Sequence, residues 1–254
     1  MAMIVNDIQA VRPIVEYAKS QLQRPEADVF RVTSLIGPPL VRTLAIKHWD
    51  EIKVDLSTLL PAMEGTAWHA KMEQYSPEKS ISRQRFVIKL RNVLVTGEPD
   101  LFGPERGLLS DFKLVRVWAW IFDNDWEEQL NLYKLLLETG CRAGTNERTG
   151  YQVNKAFIRA SFKDWSELGL VKANASRKKY PPARHINIPI PLWSRKKATA
   201  YLNERLTDHL DNPERECTKK EKWNNALRCR AWCFSRNVCP YNNFKDEPKE
   251  SKGD

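Results

Sequence analysis

The chain has 254 residues, 42% of them hydrophobic, with nine Trp, nine Phe and only ten Gly. That is enough apolar material for one large α/β unit, or for a core with a small appendage, and it excludes a disordered tail, a coiled coil and a collagen-like repeat. Forty-one Lys and Arg against 32 Asp and Glu leave a formal charge of +9, which favours a polyanionic partner.

The residues that follow Met1 lack a basic segment leading into a long apolar one, so no secretory leader is expected. A cytoplasmic, reducing setting follows, in which five cysteines more often hold a metal than form disulfides. PAMEGTAWHAKMEQY predicts a helix with Pro61 in its first turn and its end before Pro77. Within it Gly65, His69 and Glu73 recur every fourth residue and line one stripe. The glycine would let another backbone approach, and His69 would either ligate a metal or sit hydrogen-bonded in the core.

Residues 84–90, 92–102 and 107–118 read as three strands, the last two separated by the turn GPERG. The longest aromatic-apolar run, 117–122, falls far short of the roughly 20 residues a bilayer span needs, so no membrane partner is expected. Asn124, with Glu127 three residues on, predicts the N-cap of a second helix that runs through QLNLYKLLLE to a stop at Gly140. Gln129 and Tyr133 share a face of it; by residue type Tyr133 belongs in the core and Gln129 at the surface. Residues 156–162 and 184–189 read as strands, and 195–210 as a helix. No period repeats, which excludes a solenoid. Three regions are expected: a main domain over 1–211, a Cys-rich segment over 212–244, and a frayed tail over 245–254 with nothing apolar to bury.

Charge is unevenly spread. Residues 98–128 hold eight Asp and Glu against three Lys and Arg, whereas 172–197 hold eight Lys and Arg and no acid. Asp100 and Asp111 lie equidistant from a turn centred between Glu105 and Arg106, so a simple hairpin register sets them opposite each other. Opposed carboxylates repel unless something positive sits between them. Strand alternation puts Lys113 on the same side as Asp111, which offers one neutralising group; a hard cation such as Mg²⁺ or Mn²⁺ is the other. A solvated surface hairpin carrying an ordinary ion pair has the same spacing.

Taken together, GTAWHAKME, GEPD, SDFK and QLNLY follow one another in the order of the motifs of the PD-(D/E)XK nuclease superfamily. They resemble most its RecB-type branch, which carries a GxxxHxxxE helix before the metal-binding strands and a QxxxY helix after them. The flanking VTSLIGPPLVRTLAIKHWDEI is similar in texture to phage-encoded members. The resemblance implies an α/β, restriction-endonuclease-like fold, a mixed central sheet flanked by helices, and hydrolysis of DNA phosphodiesters with Mg²⁺ or Mn²⁺. It further implies that His69, Asp100 and Asp111 bind the metal with the carbonyl of Phe112, and that Lys113 positions or polarises the attacking water. Glu73 would assist from behind, while Gln129 and Tyr133 would order the site or contact DNA. An exonuclease of phage recombination, repair or DNA degradation is therefore expected, beside recombination or replication proteins.

Cys217, Cys229, Cys233 and Cys239 crowd the C-terminal segment, and four thiolates suit either Zn²⁺ or a 4Fe–4S cluster. RecB-type relatives with a cluster take one ligand upstream of the nuclease motifs. This sequence has none there, so Cys217 would be the fourth. Cys141 reads as a packed small residue, and Trp223 and Trp232 as covers for the metal site. The competing expectation is a non-catalytic nucleic-acid-binding or adaptor protein with a vestigial nuclease core, gripping phosphates through the basic stretch.

Overall fold

The computed structural model describes residues 2–120, 125–145 and 147–244, and shows a mixed α/β protein. In chain order the elements are β1 (Met3–Val5), α1 (Arg12–Gln21), β2 (Val29–Arg31), α2 (Val32–Leu35), α3 (Pro39–Lys47), β3 (Lys53–Asp55) and α4 (Leu56–Glu73). Next come β4 (Phe86–Leu90), β5 (Val93–Gly97), β6 (Leu101–Gly103), β7 (Leu108–Val115), α5 (Trp126–Thr139) and β8 (Cys141–Arg142). The chain continues with β9 (Lys155–Phe162), α6 (Glu167–Ala175), β10 (His185–Ile190), α7 (Arg195–Asp211) and α8 (Lys219–Lys222). Contacts group these into two compact units, Met1–Met63 with Asn203–Asp254, and Glu64–Leu202. No helix among the described residues is long and apolar enough to cross a membrane.

The Glu64–Leu202 unit carries a four-stranded mixed sheet in the order β10-β9-β7-β6. β7 and β9 run parallel, with Asp111 opposite Ile158, while β6 and β10 pair antiparallel at the two sides. A parallel pair needs a long crossover, and α5 lies within it. Nearly every residue of α5 from Gln129 to Leu137 is buried, because the helix packs on β7 and β10 of this sheet and on β4 and β5 of a second, antiparallel arrangement in which β4 is flanked by β5 and β8. Gly97 makes that packing possible: a Cβ there would fall 2.6 Å from Leu136 and 2.8 Å from the Tyr133 ring.

Several boundaries differ from the sequence expectation. The helix predicted to start at Pro61 starts at Leu56, and Pro61 lies inside it. Asp55 explains the earlier start: its Oδ1 accepts from the Ser57 amide at 2.7 Å and satisfies one of the N–H groups orphaned at a helix start. The strand expected over 92–102 is two, β5 and β6, broken at Glu98-Pro99-Asp100, where proline removes a ladder donor. Gly65 is not a point of backbone approach, since a Cβ built there meets nothing within 4 Å. Asn124 and part of the 117–122 run lie outside the described residues; α5 begins after Asp125, whose side chain makes no capping bond. The tail expected over 245–254 also lies outside them.

The Met1–Met63 and Asn203–Asp254 unit contains the parallel pair β1/β3 and the Cys-rich segment. The segment has little core of its own and uses that of the N-terminal residues. Leu40 and Leu44, one turn apart on α3, cluster with Cys239 and the partly buried Cys217, and the Phe234 ring stacks on Trp49 at 5.8 Å. Asn237 ties the backbone down, donating to the Glu51 carbonyl at 2.8 Å and accepting from the Lys53 amide at 3.1 Å.

Candidate active site

Four elements of the Glu64–Leu202 unit bring six of the anticipated residues together: α4 gives His69, the β5–β6 break gives Asp100, β7 gives Asp111 and Lys113, and α5 gives Gln129 and Tyr133. The β6/β7 pairing of Leu101 with Ser110 opposes Asp100 to Asp111 when continued by one residue. Asp100 is fixed on both oxygens: Oδ2 accepts from the Phe112 amide at 2.7 Å, and Oδ1 lies 3.2 Å from His69 Nδ1. Burial works against a charged His69, but the hydrogen bond and charge of Asp100, with the charge of Asp111, outweigh it and raise the imidazole pKa above its ordinary value.

Asp111 is 1% exposed. Gln129 Nε2 donates to its Oδ1 at 3.0 Å, and Lys113 Nζ stands 2.7 Å from its Oδ2. That second contact is an ion pair without hydrogen-bond alignment, so Oδ2 remains a buried oxygen with no hydrogen-bond partner. Burial pushes the carboxyl pKa up to about 6; Lys113 pulls it down and Asp100 adds to the rise. Lys113 also donates to Gln129 Oε1 at 3.1 Å, so a single amide holds both members of the pair. Gln129 Nε2 reaches Tyr133 Oη at 3.2 Å as well. Burial, then the charge of Asp111, drives the phenol pKa far above its usual value, so Tyr133 stays protonated.

One expectation needs correcting here. Gln129 is 6% exposed rather than a surface residue, because Asp111, Lys113 and Tyr133 satisfy its amide in the interior. Glu73 pairs with Arg83. A residue missed at the sequence level is Asn131, which is fully buried. Its Nδ2 donates to the carbonyls of Glu127 (2.8 Å) and Pro191 (3.0 Å), and its Oδ1 accepts from the Trp193 amide at 2.7 Å. It thereby fixes α5 two residues from Gln129; the available signal was an amide set between the leucines of LNL.

The donor types suit a hard cation, since two carboxylates and an imidazole lie close together and the buried Asp111 Oδ2 is held only by its ion pair with Lys113. Even so, among the described residues no three His, Cys, Asp or Glu side chains already converge as a metal site, so binding would require Lys113 to give up Asp111 and the side chains to turn.

In the other unit Cys217, Cys229, Cys233 and Cys239 line one small cavity of about 20 Å³ together with Leu40, Leu44, Glu221 and Arg228. Burial raises the Cys217 thiol to about 12 and Cys233 to about 11, and pushes Cys229 up as well; the neighbouring sulfurs add to each rise. Such a set stays protonated unless a cation draws the protons off. The Arg228 guanidinium lies over the Trp223 ring at 4.8 Å.

No protein-family model and no curated protein matches the sequence. Among solved structures the chain is similar to the crystal structure of SSO0001, with a TM-score of 0.56 and 13% identity over 90% of this chain and 95% of that one. At that identity the likeness concerns the fold alone.

Proposed function

We propose that the protein is a divalent-metal-dependent DNA nuclease of the PD-(D/E)XK type. The observation that carries this is Asp111: a carboxylate held in the interior with one oxygen on the Gln129 amide, the other 2.7 Å from the Lys113 ammonium, and a second aspartate across the hairpin. Burial of such a charge can cost more than its ion pair returns, so fold stability alone gives no reason for the arrangement. Mg²⁺ or Mn²⁺ held by Asp100, Asp111 and His69, with the Phe112 carbonyl, would supply Lewis-acid polarisation of a phosphodiester and acidify its attacking water.

The chain's own groups then have separable tasks. Asp100, braced by the Phe112 amide, fixes one carboxylate, and Gln129 fixes the other. Lys113, steered by Gln129, places a positive charge where negative charge grows on the phosphate. Tyr133 remains a neutral phenol and keeps the Gln129 amide in place. Exposed cations between residues 172 and 197 give DNA phosphates a surface in the same unit.

The Cys-rich segment is proposed to bind Zn²⁺ or a 4Fe–4S cluster through its four thiols, as a brace for residues with little core of their own. One observation favours the non-catalytic alternative: the Lys113 ammonium pairs with Asp111 at 2.7 Å and offsets its charge. A digest separates the two. The nuclease releases nucleotides from DNA with Mg²⁺ or Mn²⁺ and stops in EDTA, and Lys113→Ala loses about 10²-fold or more in rate while still binding DNA. Full cutting by Lys113→Ala, or salt-sensitive binding with no scission at all, would reject the assignment.

A further inference from the structure

The carboxylate cluster uses α4, β7 and α5 but leaves unexplained the excursion between β9 and β10. That excursion is pinned at its base. Trp165 Nε1 donates to the Pro181 carbonyl at 2.9 Å, the Ser166 amide donates to Tyr180 Oη at 3.1 Å, and Arg184 donates to the Trp165 carbonyl at 3.3 Å. Ser166 caps α6 by accepting from the Gly169 amide at 3.1 Å, and Ala173 is buried beneath the helix.

On this anchored support α6 turns its apolar residues outward. Leu168 is 62% exposed and Val171 63%, and they share a stripe with Lys172 and Ala175. A helix of nine residues ordinarily hides such side chains. Lys172 lies on the stripe itself, and Arg177, Lys178, Lys179 and Arg184 follow it in the chain, all exposed, with no acid from 172 to 197. Arg177 adopts φ of +53° just past the helix end, a left-handed position that glycine fills at lower cost.

The placement is also specific. β9 runs beside β7 from Asp111 opposite Ile158 to Val115 opposite Phe162, a distance of roughly 13 Å at strand rise, and α6 follows. Lys163, just before α6, pairs with Glu64 on α4, which is about 7.5 Å along that helix from His69. The segment that bears these cations and apolar side chains thus leaves directly from the strand that pairs with β7 beside Asp111.

A ligand for this surface must be an anion with apolar faces to offer. A closed duplex presents phosphates and polar groove edges but hides its base faces in the stack, and a second copy of the chain would set cations against cations. We infer that α6 is a wedge for DNA with unstacked bases, a single strand or an open duplex end, in which Leu168 and Val171 cover a base face while the neighbouring Lys and Arg hold phosphates. This rests on the nuclease proposal and names its substrate class.

The test is binding by the full-length protein, in EDTA, to a fluorescein-labelled single strand and to a duplex of equal length closed by loops at both ends. Leu168→Ser with Val171→Ser should weaken single-strand binding about tenfold and leave closed-duplex binding unchanged. Arg177→Ser with Lys178→Ser and Lys179→Ser should weaken both. All five positions are exposed, and unchanged melting curves would show that the variants fold. Wild-type single-strand binding by the Leu168/Val171 variant, or an equal loss on both ligands, overturns the wedge. So does capture of phosphatidylserine vesicles that depends on these two residues while single-strand binding does not. If α6-dependent binding holds but no cutting occurs with Mg²⁺ or Mn²⁺, the nuclease proposal falls and the wedge stands. If cutting occurs and the variant processes single strands as the wild type does, the wedge alone falls.

Discussion

Replacing Asp111 with Asn should make the protein inactive and more stable. The folded-state pKa of about 6 lies above the ordinary 3.8, so between those values the native state holds more protons than the unfolded chain. Its stability therefore falls as pH rises through that window and stays lower above it. A difference of roughly two pH units, at about 1.4 kcal/mol each, puts the cost of keeping Asp111 ionised at about 3 kcal/mol at pH 8. Asparagine removes this charge and still accepts from Gln129, whereas Lys113 loses its ion pair but keeps Gln129 Oε1 at 3.1 Å. A net gain of about 1–2 kcal/mol is expected, or a melting rise on the order of 2–8 °C for a chain of this size. Thermal and urea unfolding in EDTA at pH 8 and pH 4 measure it: the advantage of Asp111→Asn should be present at pH 8 and gone at pH 4. With Mg²⁺ added, the wild type alone should gain stability. A variant less stable than wild type at pH 8, or a difference that ignores pH, would mean that the Lys113 pair supports the fold, and the case for a functional carboxylate would be lost.

His209 should give the opposite pH dependence in the other unit. Its Nε2–H donates to the Leu35 carbonyl at 3.0 Å, and burial, with Arg205 nearby, lowers its pKa from 6.5 to about 4. The unfolded chain takes up the proton first, so about 3 kcal/mol should be lost as pH drops from 6.5 to 4, and His209→Gln should flatten that loss in urea titrations; an unchanged slope would count against it. The Cys-rich segment should carry metal in stoichiometric amount, either zinc by elemental analysis or visible absorbance from iron and sulfide. Stripping it should lower the melting temperature, and protein purified with neither metal yet fully folded would dismiss the brace.

Much of the Glu64–Leu202 unit was legible because its signals are local. The alternation in FVIKL and KAFIRASF and the stop at Gly140 place β4, β9 and the end of α5 within a residue or two. The failures come from partners distant in sequence. Gln129 reads as a surface residue because periodicity cannot see that Asp111 and Lys113 wait inside to bond it. The 92–102 run keeps an apolar texture across Pro99, which hides the break that sets Asp100 free of the ladder. The four cysteines look self-sufficient in the sequence, whereas their cavity is completed by Leu40 and Leu44 from the start of the chain.

The parallel pairing of β7 with β9 bears on how the chain is made. During synthesis β6 and β7 can close their hairpin as soon as they leave the ribosome, but the register that sets Asp111 beside Ile158 must wait for β9 to emerge. Until then the carboxylate and the ammonium of Lys113 stay in water, where their charges cost little. The electrostatic burden is thus taken on late, when α5 is already available to supply the amide of Gln129, and a nascent chain halted before residue 155 would carry both acidic side chains without the cavity that gives them their character.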